Sequence, residues 1–253
     1  MEKATVQSID RALSIIEALA GEKDGLGVTE IATRVGLHKS TVHRLLSALG
    51  ERNYVEQRSG GAYRLGMKLV ELSSLYLNQV ELKTEAQPYL RKLLQLTKQP
   101  VHLAMLDGLE IIYIDKIESI HSIRMYSQIG RRSPALCTAT GKVLLSGLPD
   151  AELCEKIRST RLPTYTSRSI TDPDQLISEI RMVRQRGWSK DDQEHEPGIR
   201  CIAAPIYDYR GHIIAAVSTS GLKQVLTPAR DEEIATLVMD AAHSISLRMG
   251  YRA

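Results

Sequence analysis

One stretch constrains this chain more than any other: Val28-Thr-Glu-Ile-Ala-Thr-Arg-Val-Gly-Leu-His-Lys-Ser-Thr-Val-His-Arg-Leu-Leu-Ser-Ala-Leu49. Its periodicity predicts two short helices joined by a tight turn. In the first, Thr29 suits the N-cap, and Ile31, Ala32 and Val35 share one face. Gly36 follows where the helix must stop, because glycine accepts a positive φ without steric cost. The second helix repeats Val42, Leu45, Leu46 and Leu49 at i, i+3, i+4 and i+7. Its other face carries Lys39, Ser40, Thr41, His43, Arg44 and Ser47. An apolar stripe seats such a helix on a domain, and short donors and cations opposite let its backbone approach base edges and phosphates in a major groove. An ordinary amphipathic surface helix would show the same face, so the flanking sequence has to decide.

The flanks favour DNA. Residues 5–20 predict a preceding helix, capped by Ser8, with Ala12, Leu13, Ile16, Leu19 and Ala20 inward and Gly21 at its end. After Leu49, Tyr54-Val-Glu-Gln-Arg58 and Ala62-Tyr-Arg-Leu65 suit strands, and Ser59-Gly60-Gly61 is a hairpin turn signal. Three helices and then a basic hairpin is the order of a winged helix-turn-helix, with Arg58, and Arg64 beside it, near the DNA backbone. The whole chain carries only +3. The window from Lys39 to Arg64 holds five cations against two acids, so it accounts for a charge of that size by itself. That clustering is the footprint of a phosphate-binding face.

With 253 residues there is room for two domains with cores of their own. Phe is absent and aromatics are 4%, so those cores are built from Leu, Ile, Val, Ala and Met. Residues 1–66 form the expected DNA-binding domain. Residues 67–82 are expected to form a linker helix, with Leu69, Leu72, Tyr76 and Val80 on one face and Val70, Leu75 and Leu77 on a second apolar edge suited to a dimer contact. Residues 83–253 then read as one domain. A helix over 84–98 leads to strands at Val101–Leu106, Glu110–Ile117 and Ile123–Ile129, with Gly130–Pro134 as a loop. Thr138-Ala-Thr-Gly141 opens a short helix. Thr171-Asp-Pro-Asp-Gln175 is a strong helix start, with Asp172 as cap and Pro173 in the first position, and Gly187 is its stop. Trp188–Gly198 reads as an irregular acidic segment. Two strands, Ile199–Tyr207 and His212–Ser220, and a last helix from Thr227-Pro228 complete an antiparallel sheet flanked by helices. The fold class is α+β.

Several chemistries are excluded. Thr140-Gly-Lys-Val resembles the end of a phosphate-binding loop, but Leu136 and Val143 stand where that motif needs glycine and a hydroxyl. Ser218-Thr-Ser-Gly221 lacks the upstream glycine of a nucleophile elbow, since Ala216 stands there. His195-Glu-Pro cannot continue as a zinc-protease helix, because of Pro197. The acids of 191–196 suit a solvated loop better than a metal site. No catalytic residue, cofactor or metal is therefore expected. Cys137, Cys154 and Cys201 lie far apart with no ligand spacing. An odd cysteine count, a polar N-terminus and the lack of a long apolar run predict a cytoplasmic protein with no membrane partner.

Taken together, Val28-Thr-Glu-Ile-Ala, Lys39-Ser-Thr-Val-His-Arg-Leu-Leu46, Gly130-Arg-Arg-Ser-Pro134 running to Thr140-Gly-Lys-Val-Leu-Leu145, Gly198-Ile-Arg-Cys-Ile-Ala-Ala-Pro205 and Ser218-Thr-Ser-Gly221 resemble the IclR family of bacterial transcription regulators over nearly the whole chain. Within that family, Arg124-Met-Tyr-Ser-Gln-Ile-Gly-Arg-Arg132 looks most like the pectin-degradation repressors, which respond to 2-keto-3-deoxygluconate. Other members answer to other organic acids or to aromatics. The resemblance implies a GAF-like effector-binding domain behind the linker helix. It also implies homodimers, or dimers of dimers, on a near-palindromic operator in double-stranded DNA. It places a small organic-acid effector among Met125, Ala139, Thr140, Asp191, Cys201, Ser218 and Ser220. The residue types agree. Backbone N–H groups at a helix start bind carboxylates. Ser218 and Ser220, two apart on a strand, offer two hydroxyls to one face. Asp191 can accept from ligand hydroxyls, and Cys201 and Met125 make soft walls. Each also has a plain structural use: Cys201 and Met125 as core, the serines as partners for neighbouring backbone.

Overall fold

The structure is a computed structural model and describes residues 6–72, 81–119 and 127–252. The chain divides into two compact units, Met1–Gln79 and Val80–Ala253.

In the first unit, helices α1 (Gln7–Leu19), α2 (Val28–Val35) and α3 (Lys39–Glu51) enclose a core of Ile15, Leu19, Leu26, Ile31, Ala32, Val42, Leu46 and Val55. Leu13, expected inward, is 52% exposed, and Ile15 takes its place. Residues 15 and 19, one turn apart, define the packed face, and Leu13 sits about 200° from Ile15 around the helix. Helix α1 starts after Val6 without a side-chain cap, so Ser8 is inside it. Helix α2 starts two residues after Leu26, whose backbone exchanges hydrogen bonds with Tyr63, 2.9 and 2.8 Å. The cap is therefore Gly27 rather than Thr29, and Glu30 Oε2 accepts the Gly27 N–H at 2.7 Å. Gly36 closes α2 in the left-handed region, φ 65°. The hairpin pairs β1 (Val55–Gln57) with β2 (Tyr63–Leu65), and the Gly61 N–H closes the turn onto the Arg58 carbonyl at 2.9 Å. Residues 67–72 are helical (α4). Residues 73–80 of the expected linker helix lie outside the described residues.

The second unit is built on a six-stranded sheet in the order β5-β4-β3-β8-β7-β6, every neighbouring pair antiparallel. The strands are β3 (Val101–Asp107), β4 (Glu110–Ile117), β5 (Arg132–Pro134), β6 (Ser189–Asp192), β7 (Ile199–Tyr207) and β8 (Ile213–Leu222). Two sequence expectations change here. Arg132–Pro134, read as loop, pairs with Glu110–Ile112 as an edge strand. Ser189–Asp192, read as irregular, pairs with Arg200–Ala203 as the other edge. Both are short and polar, so neither carries an alternating hydrophobic signal; the neighbouring strand supplies their order. The strand expected at Ile123–Ile129 lies outside the described residues up to 126, and 127–129 is not strand.

Helices α5 (Glu81–Thr97) and α9 (Asp231–Arg248) pack on each other and on the sheet, with Arg248 Nε donating to Glu85 Oε2 at 2.6 Å. On the other face, α6 (Ala139–Leu145), α7 (Asp150–Arg158) and α8 (Pro173–Arg186) share one core with Ala104, Ile111, Ala203 and Ala216 of the sheet. Asp172 caps α8 through the Gln175 N–H at 2.7 Å, and Gly187 stops it at φ 80°. The last helix differs in detail: Pro228–Arg230 is a 3-10 turn, and α9 begins at Asp231.

Candidate functional site

The polar face of α3 is presented as its apolar stripe requires. Val42 and Leu46 are buried, with Leu45 and Leu49 half-buried beside them. Lys39, Ser40, His43 and Arg44 are thereby exposed, and Thr41 is half-buried at the rim. Neither Lys39 nor Arg44 is engaged in an ion pair among the described residues. Cations left unpaired on a rigid helix are free to meet phosphates or base edges. Arg58 is exposed at the hairpin turn, 3.8 Å from Asp24, which is fully in solvent. Such a surface pair is weak and yields readily to a phosphate. Arg64 is different: it faces Glu56 across the hairpin and is ion-paired with it, so it stiffens the wing.

The second unit holds a cavity of about 240 Å³. Ala139, Thr140, Asp191, Cys201, Ser218 and Ser220 all line it, drawn from α6 and three strands. Met125 lies outside the described residues. The strand register explains the convergence. Asp191 is opposite Cys201, and Cys201 is opposite Ser220. Two residues along, Ala203 is opposite Ser218, and Ser218 is opposite His102. Directly opposed residues share a sheet face, so one face carries two rows of cavity residues. Thr219, between the serines, points the other way and donates to the Pro100 carbonyl at 3.1 Å.

Ala139 and Thr140 occupy the first two positions of α6, where backbone N–H groups have no acceptor within the helix. The Thr138 hydroxyl takes the third, from Gly141, at 3.2 Å. The Thr-Gly-Lys run that only resembles a phosphate loop has a packing reason. A Cβ on Gly141 would lie 2.2 Å from both the Cα and the O of Ala135. Lys142, 1% exposed, sits 2.5 Å from Glu194 Oε1.

That pair adjoins Asp191, which lines the cavity. The Glu194 N–H donates to Asp191 Oδ1 at 2.6 Å. Burial, then the Glu194 charge, pushes the Asp191 carboxyl up to about 7. Burial also raises Glu194, against the pull of Lys142. It raises the Cys201 thiol and carries the Tyr113 phenol up to about 12. It drives His102 down to about 3, with Lys116 adding to the effect, so this imidazole is neutral. His102 Nε2 lies 2.8 Å from Ser127 Oγ. The sequence reading missed His102, Tyr113, Ser127, Arg131 and Tyr165 as cavity lining. A histidine within the apolar run Val101–Leu106 was the available signal for the first. Ser127 and Arg131 fall within the Arg124–Arg132 motif, whose spacing does not mark them as lining, and Tyr113 and Tyr165 are distant in sequence and carry no motif.

Of the remaining acids in 191–196, Asp192 is bound to Arg200 and Arg168, at 3.0 and 2.6 Å. Among the described residues no group of His, Cys, Asp and Glu is arranged to hold a metal ion. No helix among them is long and apolar enough to cross a membrane.

Comparison with known proteins agrees with both halves. Residues 8–59 match the IclR helix-turn-helix domain, and 74–247 match the family described as bacterial transcriptional regulator IclR C-terminal. The chain is 38% identical to the HTH-type transcriptional regulator KdgR of Escherichia coli, across 98% of this chain and 94% of that one. It is 36% identical to XynR of the same organism, across 98% and 99%. The solved structure of the Thermotoga maritima IclR superposes with a TM-score of 0.82 at 32% identity, covering 98% of this chain and all of that one. The sheet, the helix-turn-helix and the near end-to-end similarity lead to one conclusion: this chain belongs to the IclR family of DNA-binding bacterial transcription regulators.

Proposed function

We propose that this regulator is a cytoplasmic repressor that senses a sugar-derived 2-keto acid in the α6–β8 cavity and controls genes for its catabolism. The convergence of Asp191, Cys201, Ser218 and Ser220 with the start of α6 on one small cavity is the observation that carries this reading. At about 240 Å³ the space is smaller than the roughly 300–1,000 Å³ of pockets for drug-sized ligands. Its walls are rich in hydroxyls, from Ser133, Thr138, Thr140, Ser218 and Ser220. A short polyhydroxylated acid suits both facts. The similarity to KdgR supports it, as does the motif around Arg124.

On DNA, Lys39, Ser40, Thr41, His43 and Arg44 read the major groove and Arg58 holds the backbone from the wing. The working unit is a homodimer or dimer of dimers on a near-palindromic operator, and the effector releases it by coupling two sites. An aromatic acid is the second reading, favoured by the Tyr113, Tyr165 and His102 rings in the wall. A thermal-shift screen of sugar acids, keto acids and aromatic acids, followed by promoter binding with each hit, separates the two. A response to aromatics alone overturns the sugar-acid reading. Tighter promoter binding in the presence of the hit overturns derepression.

A further inference from the structure

We propose, resting on the effector reading above, that the cavity binds its organic acid together with a proton: Asp191 donates a carboxyl O–H to the ligand's carboxylate, and effector affinity falls as pH rises above neutrality. The charge count of the buried cluster carries this. Asp191 and Glu194 are 3% and 6% exposed, and a single buried ammonium, Lys142, faces them. Two carboxylates against one ammonium would leave a net negative charge at the wall of a cavity that receives an anion. In a buried site that arrangement is costly, and such groups neutralise instead. One carboxyl therefore keeps its proton. Glu194 is the direct partner of the ammonium at 2.5 Å, so the proton stays on Asp191, which lines the cavity. Its Oδ1 is occupied by the Glu194 N–H. Burial and the Glu194 charge push Asp191 up to about 7, outweighing the Glu194 and His195 N–H bonds and the Lys142 charge, which favour the ionised form.

The other groups around the cluster do not supply the missing charge. Cys201 from β7, Tyr113 from β4 and Cys137 from the 3-10 turn before α6 are all raised by burial and are neutral at pH 7. His195 is lowered by burial and is neutral too. At the cavity wall Glu196 and Arg131 are of opposite sign, and Arg132 is ion-paired with Asp107 and Glu110. Asp192, next on β6, is committed to Arg200 and Arg168. The neutral acid is thus the binding form, and its population falls tenfold for each pH unit above its pKa. The same reasoning favours monoanionic acids over dianions, since among the described residues the cluster holds no second donor of this kind.

The test has two arms on the full chain. In ligand-free protein labelled with side-chain ¹³C-aspartate, the carboxyl resonance lost in Asp191→Asn should titrate near neutrality. A midpoint in the ordinary aspartate range, about 4, overturns the proposal whatever the ligand. In calorimetry with 2-keto-3-deoxygluconate as probe, in buffers of different ionisation enthalpy, binding at pH 8 should take up about one proton per site. The dissociation constant should then climb toward tenfold per pH unit above pH ~7, and Asp191→Asn should flatten that slope. Binding without proton uptake overturns the proposal and leaves the effector reading intact. No binding at any pH overturns the effector reading, and the ligand half of this proposal with it.

Discussion

Gly141→Ala sets two effects of opposite sign against each other. Helix propensity alone favours alanine over glycine by about 1 kcal/mol in a helix interior, and less in the first turn of α6. Packing opposes it. The added Cβ would stand 2.2 Å from the Cα and the O of Ala135, and 2.5 Å from its carbonyl carbon, where real Cβ contacts do not fall below 3.0 Å. These are backbone atoms, so no side chain can rotate away. Ala135 is also pinned: its N–H donates to the Leu109 carbonyl at 2.9 Å, and the Thr138 hydroxyl holds the Pro134 carbonyl at 2.9 Å. Relief needs α6 and the 3-10 turn to separate by most of an ångström. Overpacking of this kind costs about 3 kcal/mol, at the upper end of the usual range. The net loss is then about 2 kcal/mol, or about 4–8 °C in the unfolding temperature of a domain of this size. Differential scanning calorimetry checks the number. The displacement also moves Ala139 and Thr140 off the cavity, so the effector response should weaken while operator binding by the folded protein is retained. A melting temperature within about 1 °C of the parent, or a rise, would refute the reasoning.

Other substitutions probe the remaining parts. Lys142→Met strands the buried Glu194 and should cost about 3–5 kcal/mol in urea unfolding, while Lys142→Met combined with Glu194→Gln should regain most of it; equal losses in the two variants would deny the pair its role. Arg44→Ala should weaken operator binding by about 1–3 kcal/mol at fixed salt with circular dichroism unchanged; unaltered affinity removes Arg44 from the interface. Arg58→Ala should lower the slope of log affinity against log salt by about 0.9 if the wing holds one phosphate, which a salt titration reads directly. Ser220→Ala removes a hydroxyl that can bond a charged ligand for about 1.5–3 kcal/mol, so the thermal shift from the true effector should shrink; an undiminished shift moves the site away from β8.

Local rules carried much of this protein's structure in the sequence. The stop at Gly36, the start of α8 at Asp172-Pro173 and the apolar stripe of α3 follow from steric and hydrogen-bonding preferences that act within a few residues. They were sufficient to show an amphipathic helix with a polar outer face, because its stripe and that face belong to one short segment; the DNA reading needed the preceding helix and the basic hairpin as well. The limits of local reading appear where a distant partner decides. Leu26 pairing with Tyr63 moved the cap of α2 to Gly27, and the packed face of α1 turned to Ile15. Arg132–Pro134 and Ser189–Asp192 are strands only because β4 and β7 offer them open backbone groups. The cavity is the extreme case. His102, Ser218, Cys201 and Asp191 sit on four different strands, and only sheet register brings them to one face. Likewise Lys142 meets Glu194, and the Asp191 carboxyl comes to be raised, through burial and charge that no spacing along the chain encodes. Periodicity and caps are properties of adjacent residues, whereas desolvation and the sharing of a proton exist only once the chain has closed around them.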